Sequence, residues 1–265
     1  RGAGDLPDPV GHGAGTASLQ YLCRRRPRSA RRGCAAPRRT TASARTWAGA
    51  DPSVTRLVRL TAGGGRGPWE RIGLTFSGER TRLADVELCL TDGAAGLVSW
   101  EISRDGGETR TVSVDGIETV LVPPASGEED AGRTPIGPTH GVRLDHVVVN
   151  TDDGERTSAA IENVLGLGLR RVRDAGRGVS QRFHMLDNCV IEVVSGPHVT
   201  GTGASLWGVV LSVEDVDALA SWLGPDVMSA PKPAVQPGRT IATVRAAAGL
   251  GVPFAVMSPH IGAHG

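Results

Sequence analysis

The chain has 265 residues, 39% of them hydrophobic, and a formal charge of +1, enough for one large domain or two of ordinary size. The near-neutral sum hides a split: residues 1–50 hold ten Arg against two Asp, a net of +8, leaving −7 for the remainder. A mildly acidic globular part argues against a nucleic-acid surface there, and no run of 18 apolar residues suggests a membrane span.

Residues 1–50 combine Arg, Pro, Gly, Ala and Ser without periodicity and are expected to be a disordered tail. They carry no apolar core of signal-peptide type. Four cysteines, at 23, 34, 89 and 189, form no CxxC pair; Cys89 and Cys189 sit in apolar runs and read as buried thiols in a reducing cytoplasm. Lys232 is the only lysine, a bias that makes any single Arg a weak functional signal.

Asp51-Pro52-Ser53 opens a helical pattern with Val54, Leu57, Val58 and Leu60 on one face, stopped by Gly63-Gly64-Gly65. From Trp69 to Val122 the pattern is β. Alternating runs at 71–76, 83–90, 97–102, 111–114 and 117–122 are separated by turn signals such as Asp92-Gly93 and Asp115-Gly116. Residues 52–122 thus predict a small, mainly antiparallel β-rich unit. Residues 123–140, rich in Pro, Gly and acidic residues, read as a linker.

A regular order follows over 141–260. A strand at 142–150 leads to a helix at about 153–165, capped by Thr151 or Asp152 and ended by Gly166. Strands at 169–172, 181–186 and 189–194 come next, the last two joined by a tight turn at Asp187-Asn188. A second pass starts with a strand at 206–213, a helix at 216–223 and strands at 226–228, 240–245 and 253–257. Both passes fit β-α-β-β-β, giving modules 142–196 and 204–259 that end alike in Val-Val-Ser-Gly-Pro-His and Val-Met-Ser-Pro-His.

Two polar side chains interrupt the apolar strands of the first module. His146 lies in Leu144-Asp145-His146-Val147-Val148-Val149, and Glu192 in Val190-Ile191-Glu192-Val193-Val194. A carboxylate in such a strand must face solvent, a cavity or a cation. His184, on the preceding strand, has the chemistry of a third ligand or proton shuttle. Trp207 offers a flat wall for a small-molecule pocket. Arg239 and Arg245 are candidates for binding an anionic substrate.

A paired βαβββ repeat with His in the first strand and Glu in the fourth resembles the vicinal oxygen chelate superfamily of glyoxalases, extradiol dioxygenases, methylmalonyl-CoA epimerase and bleomycin-binding proteins. The resemblance covers about 142–259, and the 52–122 unit reads as a divergent relative of the same module. It implies an α+β fold in which paired modules form a curled mixed-sheet cup. It also implies a divalent metal (Zn, Fe, Mn, Ni or Mg) at His146 and Glu192, with His184 as the catalytic candidate and Trp207, Arg239 and Arg245 as substrate contacts. The second module departs from the pattern, placing Gly208 or Trp207 where a second imidazole belongs and Ala255 or Phe254 at the second carboxylate. Glu87, in the N-terminal unit, is a candidate to complete the set. Two functions stay open: a metal-dependent lyase, isomerase or dioxygenase acting on a small oxygenated metabolite, or a metal-free small-molecule-sequestering protein of the bleomycin-resistance type. The expected partner is a small molecule, not nucleic acid or membrane, with a homodimer as the candidate assembly.

Overall fold

The computed structural model describes residues 54–105, 107–124 and 133–260. The expected tail at 1–50 lies outside them, as do residues 125–132 of the expected linker, whose last part, from Thr134, is already strand. No helix among the described residues is long and apolar enough to cross a membrane.

The first sheet contains β1 (Thr55–Gly63), β2 (Arg80–Leu83), β3 (Val86–Thr91), β4 (Gly96–Arg104), β5 (Arg110–Val114) and β6 (Ile117–Val122), with a short helix α1 (Gly67–Arg71) after β1. Its order is β2-β3-β1-β4-β6-β5. β1 runs parallel to β3, and β4 to β6, while β1 and β4 are antiparallel.

The second sheet begins with β7 (Thr134–Ile136) and the long β8 (Thr139–Thr151), followed by α2 (Gly154–Leu165), β9 (Leu169–Gly176), β10 (Val179–Met185) and β11 (Val190–Ser195). The same order returns in β12 (Ala204–Val213), α3 (Val216–Leu223), β13 (Lys232–Pro233), β14 (Thr240–Thr243) and β15 (Phe254–Met257). The strands lie in the order β13-β14-β15-β12-β8-β11-β10-β9, with β7 beside β8. These are the paired βαβββ modules of the expected α+β fold. Parallel pairs β8–β11 and β12–β15 flank the antiparallel β8–β12 pair. The first sheet follows the same path with one strand fewer at each edge.

Residues 55–60 belong to strand β1, not to the expected helix. The ladder between β1 and β4 shifts register between Leu57 and Arg59. The extra residue puts Leu57 and Leu60 on the same buried side, three apart, a spacing that imitates a helical stripe. The alternating run at 71–76 is not a strand either: it leaves α1 through Ile72 as irregular backbone. The predicted strand at 226–228 reduces to one bridge, Met228 to Val244. The cap of α2 is Asp153, one residue later than expected. Its carboxylate accepts from the Glu155 and Arg156 N–H groups, and Gly166, at φ 72°, closes the far end in the left-handed region.

Strand pairing assigns faces. Val147, Val149, Ile191, Val193, Val209, Leu211, Phe254 and Val256 point one way and join the inner face of the first sheet, including Leu60, Leu88 and Trp100, in one core. Trp69 of α1 meets Phe254 edge-on, ring centroids 5.9 Å apart, a contact of about 0.5–1.5 kcal/mol beyond its area burial. The tip of the β10–β11 hairpin is fastened to β1. The Asn188 side chain accepts from Leu57 N–H (3.0 Å) and donates to Leu57 C=O (2.8 Å) and to Asp85 (2.7 Å). Cys189 beside it is a buried free thiol, pushed up in pKa by burial, while free Cys89 is only half-buried.

Candidate active site on the concave face

The opposite face of the second sheet is concave and carries the polar residues. Glu192 pairs with Val148 on β8 and Phe183 on β10, so Glu192, His146 and Gln181 project from the same side. His146 and Glu192 converge as expected: Nε2 of His146 lies 3.2 Å from Oε2 of Glu192. Both residues are buried, at 5% and 1% exposure. Neither of these two atoms makes a hydrogen bond.

Each residue is tethered by its other polar atom. Nδ1 of His146 is 2.9 Å from Asp145 Oδ1. Strict alternation would send Asp145 to the other side of the sheet. The β8–β12 ladder instead slips at this point, with Val210 opposite His146 and Leu211 opposite Leu144. That bulge leaves Asp145 unpaired and re-aims it. Its second oxygen accepts from Arg239 Nη2 at 2.5 Å, and Arg239 Nε donates to the Ser258 carbonyl at 2.7 Å. On the other side, Gln181 Nε2 donates to Glu192 Oε1 (2.6 Å) while its own Oε1 accepts from Arg173 (3.2 Å). The result is a chain of contacts, Arg239–Asp145–His146–Glu192–Gln181–Arg173, with a guanidinium at each end.

Electrostatics follow from this order. Burial acts to raise the Asp145 pKa, but the hydrogen bonds from His146 and Arg239 outweigh it and hold the carboxyl well below the usual range. An ionised Asp145 can only accept, so Nδ1 of His146 carries the proton and the lone pair of neutral imidazole sits on Nε2. Burial alone would lower the His146 pKa; Asp145 and Glu192 reverse that and raise it. Glu192 is pushed up by burial, against His146, Arg173 and Gln181.

The donor set suits a divalent ion in part. Two atoms each about 2.1 Å from one ion, subtending about 90–109°, stand roughly 3.0–3.4 Å apart, and the observed 3.2 Å falls inside that range. A histidine whose second nitrogen is fixed by a carboxylate is the usual orientation for a ligand. The second module contributes Val210, Ile241, Ala255 and Met257 to the same face, an apolar cluster with Trp207 against it. Among the described residues no group of three His, Cys, Asp or Glu is arranged to hold an ion.

Other expectations change. His184 is not with His146 and Glu192. It pairs with Ile191, on the helix-facing side, where Nδ1 donates to Leu167 C=O (2.8 Å) and Nε2 lies 3.1 Å from Ser158 Oγ. Strand alternation places it there, one residue from Phe183, which shares Glu192's face. Arg239 is consumed by Asp145 and Ser258, so it braces the site and is not an open anion receptor. Arg245 is exposed and bonds to the Pro225 carbonyl, off the concave face. Glu87 lies on the outer face of the first sheet, bonded to Arg59. Trp207 does line the concave face, half-buried between the Val210 cluster and a second one of Val148, Val179 and Val194. Asp145, Gln181 and Arg173 were given no role from sequence.

The His184 ring predicts a pH effect. Burial lowers its pKa below the ordinary 6.5, with Leu167 C=O opposing. The folded chain therefore refuses a proton that the unfolded chain accepts, so the stability contributed by neutral His184 is present above 6.5 and lost as pH falls below it. Melting temperatures followed from about pH 7.5 to 5 should fall more steeply for the natural protein than for His184→Gln. Parallel profiles would remove His184 as the cause.

No family model matches the chain, and no curated protein matches it significantly. Among solved structures, it is similar to methylmalonyl-CoA epimerase from Mycobacterium tuberculosis, with 14% identity, a TM-score of 0.38, and coverage of 46% of this chain and 90% of that one. A hypothetical protein from Bacillus halodurans gives 17%, 0.39, and 46% and 98%. Streptomyces coelicolor methylmalonyl-CoA epimerase in complex with 2-nitronate-propionyl-CoA gives 14%, 0.38, and 46% and 99%. Each likeness extends over less than half of this chain.

Proposed function

We propose that the concave face is the active site of a metal-dependent, glyoxalase-like enzyme acting on a small oxygenated substrate, with His146 Nε2 and Glu192 Oε2 as the protein ligands. The observation that carries this reading is the pair of facing, buried, unbonded atoms, each belonging to a side chain whose other polar atom is tethered. Unmet buried polar atoms cost about 1–3 kcal/mol each, and a cation between them relieves both. A divalent ion held there would act as a Lewis acid toward substrate oxygens, with coordination positions left for them. The protein's part is orientation. Asp145, backed by Arg239, fixes the imidazole tautomer. Gln181, backed by Arg173, fixes the carboxylate rotamer. Trp207 and the neighbouring valines keep water from the pair.

Equilibrium dialysis of the full chain against Mn²⁺ or Zn²⁺ tests this. One ion is expected per chain, with affinity lowered about 10-fold or more in His146→Ala and Glu192→Gln, and about 10–100-fold in Asp145→Asn, whose effect is on ligand orientation. Metal retention unchanged in both ligand variants would overturn the assignment. A second reading, a metal-free binding protein, is favoured by the apolar contribution of the second module. It expects saturable ligand binding in EDTA without turnover, seen as a ligand-dependent rise in melting temperature.

A further inference from the structure

The two sheets share more than their strand order. Two slips in the β8–β12 ladder leave Asp145 of β8 and Trp207 of β12 unpaired: Leu144 and His146 face Leu211 and Val210, and Val148 and Val149 face Gly208 and Leu206. The β1–β4 ladder slips at the same two places. Leu57 and Arg59 face Ile102 and Glu101, skipping Val58, while Thr61 and Ala62 face Ser99 and Leu97, skipping Val98. A shift of one residue moves every later side chain to the other face, so the two slips together fix how the sheets correspond. Arg59 takes the place of His146, and the exposed Val98 takes that of Trp207. The parallel ladders agree: Arg59 faces Glu87 as His146 faces Val190, and Thr61 faces Cys89 as Val148 faces Glu192. The outer face of the first sheet is therefore the counterpart of the concave face.

At the centre of that outer face stands a cation supplied by the chain. Arg59 Nε donates to Glu87 Oε1 and its Nη1 to Glu101 Oε1, both at 2.5 Å. The carboxylates come from β3 and β4, the strands on either side of β1. Their side chains are 23% exposed and that of Arg59 is 31% exposed, so all three reach solvent. Burial opposes the charge on Arg59, but Glu87 and Glu101 outweigh it and raise its pKa. Two glutamates drawn to one place repel each other unless a positive charge lies between them. The guanidinium fork meets that need with two charge-assisted bonds. Arg80 approaches Glu87 only to 3.7 Å.

We infer that the first sheet carries a second site face whose cation is built in: the Arg59 guanidinium fills the place that the second sheet leaves to an ion, and Glu87 and Glu101 accept a divalent cation only when that guanidinium is removed. A guanidinium has no vacant coordination position, so it neutralises the carboxylates without offering a Lewis acid to a substrate. The chain thus has two related faces, of which one is open to metal. The comparison with an ion at His146 rests on the proposed function; the seat of Arg59 between two carboxylates does not. With two carboxylates as donors, the vacated place favours a hard ion such as Mn²⁺ or Ca²⁺.

Equilibrium dialysis of the full chain against Mn²⁺ tests this by comparing Arg59→Gln with Arg59→Lys. Each is combined with Arg80→Gln, so that no neighbouring guanidinium swings into the gap. Arg59→Gln should bind one ion more per chain than the Arg80→Gln parent, half-saturating at about 1 mM, as weak oxygen-ligand sites do. Arg59→Lys, which keeps a charge there, should gain none. Adding Glu87→Gln and Glu101→Gln to Arg59→Gln should remove the gain. The extra ion is counted against the parent, so it is expected whether or not His146 and Glu192 hold one; a parent without metal rejects the proposed function alone. If Arg59→Gln folds poorly, Mn²⁺ should raise its melting temperature, an effect lost with Glu87→Gln and Glu101→Gln. No added ion and no thermal shift at about 10 mM Mn²⁺ overturns the inference, as does an equal gain in Arg59→Lys.

Discussion

Arg239→Leu is expected to destabilise the protein by about 3–5 kcal/mol, measured by urea unfolding. The guanidinium is 3% exposed and makes the shortest contact to Asp145, a carboxylate only 8% exposed. Removing it leaves an ionised group in a nearly dry site with His146 as its remaining side-chain partner. Breaking a buried pair on one side is far worse than replacing both members with apolar groups. Asp145→Leu combined with Arg239→Leu should therefore recover most of the loss, although it abolishes orientation of the His146 ring. A single-variant loss under about 1 kcal/mol would mean that water reaches Asp145, and would count against a closed site.

The second large effect concerns the missing ligand of the second module. Gly208 occupies the position where the repeat would carry an imidazole, and Gly208→His looks like a repair. It is expected to fail. A Cβ at 208 would stand 2.7 Å from the Pro253 carbonyl oxygen and 3.1 Å from Pro253 Cβ. The same carbonyl accepts from Val209 N–H at 3.0 Å, so it cannot move without opening the β12–β15 ladder. Gly208→Ala alone should cost about 1–3 kcal/mol through this overpacking. Gly208→His should lower the melting temperature at least as far without tightening Mn²⁺ binding. A well-folded Gly208→His variant with higher metal affinity would show that the ladder tolerates the side chain.

The centre of the site was legible because it violates a local rule. A histidine and a glutamate in valine-rich strands need partners, and the order of the elements brings those strands side by side. The hairpin at Asp187-Asn188 and the cap and stop of α2 were readable to within a residue for the same reason: the chemistry is local. What was not legible depends on register. Asp145 reaches His146 only because β8 bulges, and a bulge leaves no composition signal. Leu57 and Leu60 mimicked a helix for the related reason that an extra residue in β1 converts a two-residue period into a three-residue one. His184 was misplaced because polarity was weighed without the face: counting from Glu192 through its partner Phe183 puts residue 184 on the helix side. Arg239 reads from sequence as a contact for an anionic substrate, since sequence alone does not show a carboxylate 94 positions away.

The bond between Asn188 and Leu57 closes a loop of 131 residues. The hairpin that bears Gln181 and Glu192 thus completes its contacts only after β1 has been delivered to it from the other end of the described chain. Contacts of such separation carry a loop-closure penalty and slow the search for the native arrangement. In order of assembly, the local turns and helix caps come early, and the pair at the centre of the concave face is finished late, once both sheets have met. A partly folded chain would therefore hold its strands before it could hold a ligand.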